Sequence, residues 1–488
     1  MNNYVFFLIV LFLTFSFQTN ELHAAIKHKP NIIVIMADDQ GKWAMGKQSG
    51  GEGVVNTPNL DYIAQQGIVF NNAFTPSPVC SPARASFHTG KMPSQHGVHD
   101  FLGEDKKYDA NWLKGEVLLS ERLKTQGYRT ALFGKWHATT DSKVSQPGFD
   151  QWVSYNALEA GWQNQYQHSG NVLFSENGKN VNYQGVQAWY LTQKAIQFVD
   201  QSDQQPFFIN LNFVEPHAPF EGLPERLVEQ YRNKAANLIR AGGFSNIKNR
   251  SQYTLVPSDN QEKLAQYLAA VQLLDEQVGR IIDALESRKL LENTIVIYTS
   301  DHGLLMGQYG LYGKTNATNP SNFYEDNLKV PMIVYSGNER LRLKQSRDEF
   351  ISLIDLHATV LDLAGAGDLA ASYGPGQSFN SLLQGERLAD WKPYHFAERG
   401  NARMITNGHW KLVRYYQRSD SDKPKDYWYD LSNPLGEIRD VPAPRAALEK
   451  LLISELESFF TQYETETHTG RKIWQQPYPN AGAEKILQ

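Results

Sequence analysis

Cysteine is nearly absent from this chain: among 488 residues there is one, Cys80. A lone cysteine cannot close an internal disulfide, so no disulfide framework is available. An excess of charge is missing too. Lys and Arg total 47 against 52 Asp and Glu, a net charge of −5. That balance excludes a protein held to nucleic acid by its global field. Any anionic ligand must be drawn by a local cationic site. No internal repeat or long low-complexity tract is present. A membrane-spanning run is also lacking. Tyr4 to Phe17 is nearly all apolar but falls short of the ~20 residues a spanning helix needs.

That apolar run is followed by polar residues and Leu22-His23-Ala24-Ala25. It reads as an export signal, residues 1–25, cut after Ala24 or Ala25. The expectation is a periplasmic or secreted protein with no stable membrane insertion after cleavage. No cysteine lies near the cut, which excludes a lipoprotein anchor. The remaining length suffices for one large domain and a smaller one. The pattern shifts near residue 385, so the expected division is 26–385 and 386–488.

The one cysteine opens the stretch Cys80-Ser81-Pro82-Ala83-Arg84-Ala85-Ser86-Phe87-His88-Thr89-Gly90. Pro76, Pro78 and Pro82 shape an irregular loop around the cysteine. From Ala83 the residues favour helix, and Gly90 reads as its stop. A helix starting near Ser81 puts Cys80 at a helix N-terminus, where the dipole favours an anion. Arg84, four residues on, shares its face. The bland alternative for a lone cysteine is a small buried hydrophobe.

Polar residues also gather at the ends of predicted buried strands. Asn31–Ala37 ends in Asp38-Asp39, two carboxylates that repel unless a cation or proton sits between them. Oxygen pairs of this kind suit Ca²⁺ or Mg²⁺. The strand from Arg129 to Phe133 leads to Lys135 and His137, two apart and expected to point the same way on an extended segment. Pro206–Phe213 leads to His217, held between Pro216 and Pro219 and placed to act as a general acid. Thr294–Thr299 ends in Ser300-Asp301-His302-Gly303, and Gly313-Lys314 follows. In open α/β sheets, ligands bind at such carboxyl ends.

The rest is less specific. Phe149 to Tyr183 is aromatic-rich without clear periodicity and reads as a long ordered insertion. Trp152, Trp162, Tyr166 and His168 there are either sugar-site lining or ordinary packing. Glu221 to Asn260 is polar and irregular, and Gln261 to Leu290 is an amphipathic helix. Ala402–Tyr416 and Tyr427–Leu431 alternate like antiparallel strands, and a helix runs from Arg445 to Tyr463.

Cys80-Ser81-Pro82-Ala83-Arg84 with Thr89-Gly90 resembles the core motif of formylglycine-dependent (type I) sulfatases. The Asp38-Asp39 pair, Gly134-Lys135-Trp136-His137, Pro216-His217-Ala218-Pro219, Ser300-Asp301-His302-Gly303 and Gly313-Lys314 occur in that family's order, over roughly Lys29 to Asp440. The resemblance implies an α/β fold: an alkaline-phosphatase-like sandwich with a central, mostly parallel sheet flanked by helices, plus a smaller C-terminal α+β lobe with an antiparallel sheet. It implies a sulfuric ester hydrolase whose Cys80 is oxidised to Cα-formylglycine (3-oxoalanine) by a separate formylglycine-generating enzyme. One hydroxyl of the aldehyde hydrate attacks sulfur, and the other collapses to release sulfate.

By the same resemblance, Asp38, Asp39, Asp301 and His302 bind one divalent cation, Ca²⁺ or Mg²⁺. Arg84 and Lys135 hold the nucleophile and a sulfate oxygen, and His137 is the base for elimination. His217 and Lys314 contact sulfate, and one of them protonates the leaving oxygen. The chain departs from the common pattern at His302, where many relatives carry Asn, and an imidazole nitrogen is a softer ligand than Ca²⁺ prefers. The expected substrate is a sulfated carbohydrate, first an algal galactan such as carrageenan, then ulvan or a glycosaminoglycan. His96, His168, Arg399 and Arg403 are candidates for its recognition. Rival readings are a phosphate or phosphonate ester hydrolase of the same superfamily and a non-catalytic exported glycan-binding protein.

Overall fold

The computed structural model describes residues 29–475 except 104–112, 202–204, 242–259, 342, 371–372, 419–422, 434–436 and 438–439. The expected export signal lies outside the described residues. Among those described, no helix is long and apolar enough to cross a membrane.

The strands in chain order are β1 (Asn31–Ala37), β2 (Ile68–Phe74), β3 (Arg129–Gly134), β4 (Gln151–Tyr155), β5 (Ser169–Glu176), β6 (Lys179–Val186), β7 (Phe207–Asn212), β8 (Thr294–Ser300), β9 (Leu305–Met306), β10 (Tyr312–Gly313), β11 (Met332–Ser336), β12 (Gln345–Ser352), β13 (His395–Arg399), β14 (Ala402–Thr406), β15 (Trp410–Tyr415) and β16 (Lys425–Asp430). Ten of them form one sheet in the order β12-β2-β11-β8-β1-β7-β3-β4-β5-β6. The five central strands, β8 to β4, run parallel. Antiparallel pairs enter on both sides, at β11 and at β5 and β6. Because the central strands are covered on both faces, they are buried and largely apolar, and the few polar side chains, such as Asn210 and Asn212, are hydrogen-bonded to one another.

β1 shows how the layers are built. Ile33 and Ile35 face one core, shared with the Gln187–Asp200 and Asn260–Ser287 helices. Ile32, Val34 and Met36 face the other, shared with Ala83 and Phe87 of the Cys80–Thr89 helix and with the Leu353–Leu363 helix. The period-2 alternation of a strand thus serves two helical layers at once. The second sheet, β13-β14-β15-β16, is antiparallel. Ile405, Leu412 and Trp428 on one face pack against Leu452, Leu456 and Phe460 of the Ala446–Tyr463 helix. Met404 and Val413 on the other face pack against Phe74 of the large sheet and against Phe323 and Leu328.

Two expectations need correction, and one strand went unread. The aromatic-rich stretch from Phe149, read as a long ordered insertion without periodicity, is part of the main sheet: β4, β5 and most of β6 come from it and extend that sheet to its edge. Gly170 and Gly185 interrupt the alternation there, which hid the strands. Within the stretch read as irregular, Glu225–Ala241 is a helix packed on the Asn260–Ser287 helix through Leu227, Val228 and Tyr231. Finally, β12 is an edge strand of largely polar sequence that gave no apolar pattern to read.

Candidate active site

Every main cluster named from the sequence arrives at one end of the central sheet. Asp38 and Asp39 follow β1, and Asp301 and His302 follow β8, which pairs with β1 in register from Asn31↔Thr294 to Ala37↔Ser300. That register brings the carboxylates side by side. Asp39 takes a left-handed backbone (φ 68°), which turns the chain sharply after the strand. Its amide donates to Asp301 Oδ1 at 3.1 Å, while the Asp38 amide donates to the Glu215 carbonyl after β7 at 3.2 Å.

Cys80 is the first residue of the Cys80–Thr89 helix, and Gly90 closes that helix at φ 72°. Arg84, one turn on, is fully buried and donates Nε–H to Asp301 Oδ2 at 3.0 Å and Nη1–H to the Lys135 carbonyl at 3.1 Å. The Lys135 ammonium is paired with Asp38 Oδ2. Lys135 and His137 do face one centre, but not along an extended segment: Gly134 (φ 107°) and His137 (φ 50°) bend the chain. A side chain at Gly134 would collide with the Asn212 carbonyl, whose oxygen lies 1.8 Å from an added Cβ.

The thiol is the common centre. Cys80 Sγ lies 3.2 Å from His302 Nε2, 3.0 Å from Lys314 Nζ and 3.7 Å from Asp39 Oδ1. Lys314 Nζ also pairs with Asp39 Oδ1 at 2.7 Å, and His217 Nε2 lies 3.6 Å from Asp39 Oδ2. Asp38, Asp39, Cys80 and His302 are buried, whereas the His217 and Lys314 side chains keep 15% and 20% of their exposure. The mouth of the site therefore lies at His217 and Lys314.

The electrostatics match a site for anion chemistry. Burial pushes the Cys80 thiol up, but Lys135, Lys314 and His302 outweigh it and bring it well below an ordinary thiol. Burial also pushes Asp38 up, and Lys135, His217 and Arg84 hold it below the usual carboxylate range. Asp301, raised to about 7 by burial and by Asp38, reports crowded negative charge. His302 is lowered by burial but raised more by Asp301, Cys80 and Asp39, to about 9. His137 is the opposite case: burial and Lys135 lower it to about 4. It is neutral at pH 7, and its Nε2, 2.9 Å from the Leu102 carbonyl, is assigned the proton by that bond. Nδ1 is left as the basic nitrogen.

The weaker candidates do not collect at the sulfur. His96 Nε2 meets the Ser86 hydroxyl at 3.0 Å, and its Nδ1 accepts the Val98 amide at 3.1 Å. Arg399 is bound to Asp100 at 2.8 Å and to the Ser321 hydroxyl. Arg403 is buried against Glu464 and stacked over Phe460. His168 comes nearer: its Nε2 lies 2.8 Å from the His217 carbonyl. Trp152 is buried core, donating Nε1–H to the Ser142 carbonyl.

A family model described as Sulfatase matches residues 30–366, more than half of the chain. The chain belongs to the sulfatase family. A second model, described as the C-terminal part of N-sulphoglucosamine sulphohydrolase, matches residues 307–461. The sulfatase is 27% identical over 519 residues to an N-acetylglucosamine-6-O-sulfatase of Bacteroides thetaiotaomicron, covering 89% of this chain and 87% of that one. It is 27% identical to an arylsulfatase of Clostridium perfringens, covering 88% and 95%. A solved structure in complex with its substrate D-glucosamine-2-N,6-O-disulfate superposes with a TM-score of 0.68 at 25% identity, covering 89% of this chain and 98% of that one. The protein is a sulfuric ester hydrolase of the alkaline-phosphatase-like superfamily.

The residues present fit the divalent cation that this family uses. Asp38, Asp39, Cys80 and His302 offer ligand atoms within 4.8 Å of one another. Asp38 Oδ1 is buried without a hydrogen-bond partner, as is Arg84 Nη2 facing it at 3.5 Å. Such an orphaned carboxylate oxygen is costly unless something positive occupies its open side. His302 Nδ1 is 2.8 Å from the Gly303 carbonyl, which turns Nε2 toward the cluster. Asp301 stands beside this group, its Oδ1 already accepting the amides of Asp39 and His302.

Sequence reasoning missed one contributor, Tyr267. Its hydroxyl donates to the Asp39 carbonyl at 3.0 Å and accepts the Gly41 amide, bracing the left-handed turn. A hydroxyl on the apolar stripe of a buried helix was the available signal.

Proposed function

We propose that this sulfatase removes O-sulfate from a carbohydrate outside the cytoplasm, using a formylglycine made from Cys80 by a separate maturation enzyme and one divalent cation, Ca²⁺ before Mg²⁺. One arrangement supports the reading: a single buried thiol lies within hydrogen-bond reach of both Lys314 and His302, with Asp39 just beyond. Conversion of Cys80 replaces the thiol with an aldehyde, whose hydrate carries one oxygen to attack and a second to expel sulfate. Asp38, Asp39, Asp301 and His302 would hold the divalent cation, which would supply Lewis acidity to the nucleophilic hydroxyl.

The chain's own residues do the rest. Lys314 and Lys135 neutralise the sulfuryl oxygens, and Arg84 orients Lys135 and Asp301 through its buried forks. His217, at the mouth, gives a proton to the departing alcohol oxygen. His137, neutral with Nδ1 free of its proton, takes the proton of the second hydroxyl and so drives release. A sulfated glycan fits the exposed mouth and the carbohydrate sulfatase among the relatives; the first candidates are carrageenan, ulvan and glycosaminoglycan oligosaccharides.

Sulfate release from a panel of defined oligosaccharides of these three classes, together with an aryl sulfate, an aryl phosphate and a phosphonate monoester, tests the reading. The expected result is fastest turnover of a sulfated sugar. Faster phosphate or phosphonate turnover overturns it in favour of the sister chemistry. Mass spectrometry of the Cys80 peptide is expected to show a loss of ~18 Da, thiol replaced by aldehyde. An unchanged peptide in a fully active enzyme overturns the nucleophile.

A further inference from the structure

The segment between β4 and β5 forms one wall of the catalytic mouth through its contact with His217. Its 3-10 turn, Trp162–Tyr166, begins after Gly161, whose φ of 84° redirects the chain. Tyr166 is buried. Its ring stacks on the His217 imidazole at 4.3 Å between centroids and 19° between planes, and Lys135 Nζ lies 4.8 Å from the same ring's centre. Trp162 continues the series outward, edge-on to Tyr166 at 5.9 Å, and is 51% exposed.

The turn is held rigidly. Asn164 accepts the Leu173 amide at 2.8 Å and donates to the Asn171 carbonyl at 2.8 Å. His168, two residues past Tyr166, is tied to the His217 carbonyl. An exposed indole on a turn pinned at both ends is a prepaid contact surface, because little side-chain or loop entropy is left to lose on binding. It stands two rings out from His217, with Tyr166 between them, and His217 is the residue at which the sulfate ester's leaving oxygen departs. A sugar ring attached through that oxygen, or its neighbour along the chain, must leave the site past His217.

We propose that Trp162 is the platform of a sugar-binding subsite, stacking its indole face against the apolar face of a pyranose ring at or next to the sulfated residue. Tyr166 is the positioning residue that holds this platform in line with His217. The inference rests on the carbohydrate sulfatase reading and names where that substrate is gripped. The surrounding side chains favour a neutral ring face here. The cations Lys135, Lys314 and Arg84 are all turned inward to the carboxylates and the thiol, which leaves recognition at the rim to aromatic stacking.

The test uses two readouts on the full chain. Binding is measured by calorimetry on the Cys80→Ala protein with sulfated di- and tetrasaccharides from carrageenan, ulvan and heparin, alone and with Trp162→Ala or Trp162→Phe. Trp162→Ala is expected to weaken the best oligosaccharide about tenfold, and Trp162→Phe to recover most of that loss. In the matured enzyme the same change is expected in KM, with kcat on that oligosaccharide altered less than KM. Equal affinity of the Trp162→Ala protein and its parent overturns the subsite while leaving sulfatase chemistry intact. Absence of binding to every oligosaccharide, with turnover of aryl sulfate alone, overturns both the subsite and the carbohydrate reading. Failure of aryl sulfate turnover with oligosaccharide binding retained overturns the hydrolytic reading and not the platform. Thermal melting of each variant distinguishes lost binding from lost fold.

Discussion

Two buried ionic clusters can be compared within this one molecule. The first surrounds Cys80 at the carboxyl end of the large sheet. The second lies against the small sheet, where Lys411 Nζ meets Glu437 at 2.6 Å, Glu325 at 2.7 Å and the Phe323 carbonyl at 2.8 Å. In both, burial pushes the carboxyls up, and cations answer it. The difference is what else is present. The Lys411 cluster holds no nucleophile. The Cys80 cluster has a thiol held well below its usual value, a neutral imidazole, an orphaned carboxylate oxygen, and two mostly covered side chains, His217 and Lys314, that still reach solvent. Buried charge alone therefore marks structure; buried charge around a reactive atom with a path to solvent marks a site.

The comparison can be broken at its strongest point first. Cys80→Ala is expected to cost at least about 10³-fold in turnover while leaving the melting temperature near that of the parent. Substantial residual activity would sink the nucleophile assignment. Next, removal of divalent cations with a chelator is expected to abolish turnover and lower the melting temperature, both restored by Ca²⁺. Saturating metal at 100 times its Kd contributes about 2.7 kcal/mol. A chelated protein that melts and turns over unchanged would remove the cation from the site.

His217→Ala is expected to slow a sugar sulfate about 10²-fold or more, and an activated aryl sulfate far less, since only the poor leaving group needs its proton. Equal losses would move the acid elsewhere. On the other side of the comparison, Lys411→Met is expected to destabilise the fold by about 3–5 kcal/mol, because Glu325 and Glu437 lose their buried cation. The rate per folded molecule should change only a few-fold. Denaturant unfolding beside active-site titration measures both, and a larger loss of rate than of stability would make that cluster part of the site.

The legible parts of the sequence were those with local cause. The apolar runs of β1, β7 and β8 announced buried strands, and Gly90 announced the helix end. The polar residues directly after those strands fell at one place because parallel strands share one carboxyl end. What stayed hidden had non-local cause. β5 and β6 carry interrupted alternation and become strands because the β4 edge is there to pair with. Arg399 and Arg403 looked free to bind an anion, yet Asp100 and Glu464, distant in sequence, already engage them.

By its sequence alone the chain set out which chemical groups are available: one thiol, an Asp-Asp pair, an Asp-His pair, two lysines each beside a glycine, and an arginine one helical turn from the thiol. Spacing along a strand or helix is enough for that, since each group's place on its element follows from local geometry. Only the tertiary structure decided which of these groups face one another, which are occupied inside the protein, and that a turn from the edge of the sheet lays Tyr166 on His217. Those outcomes depend on strand register and on packing between segments far apart in the chain, and no local pattern encodes such distances.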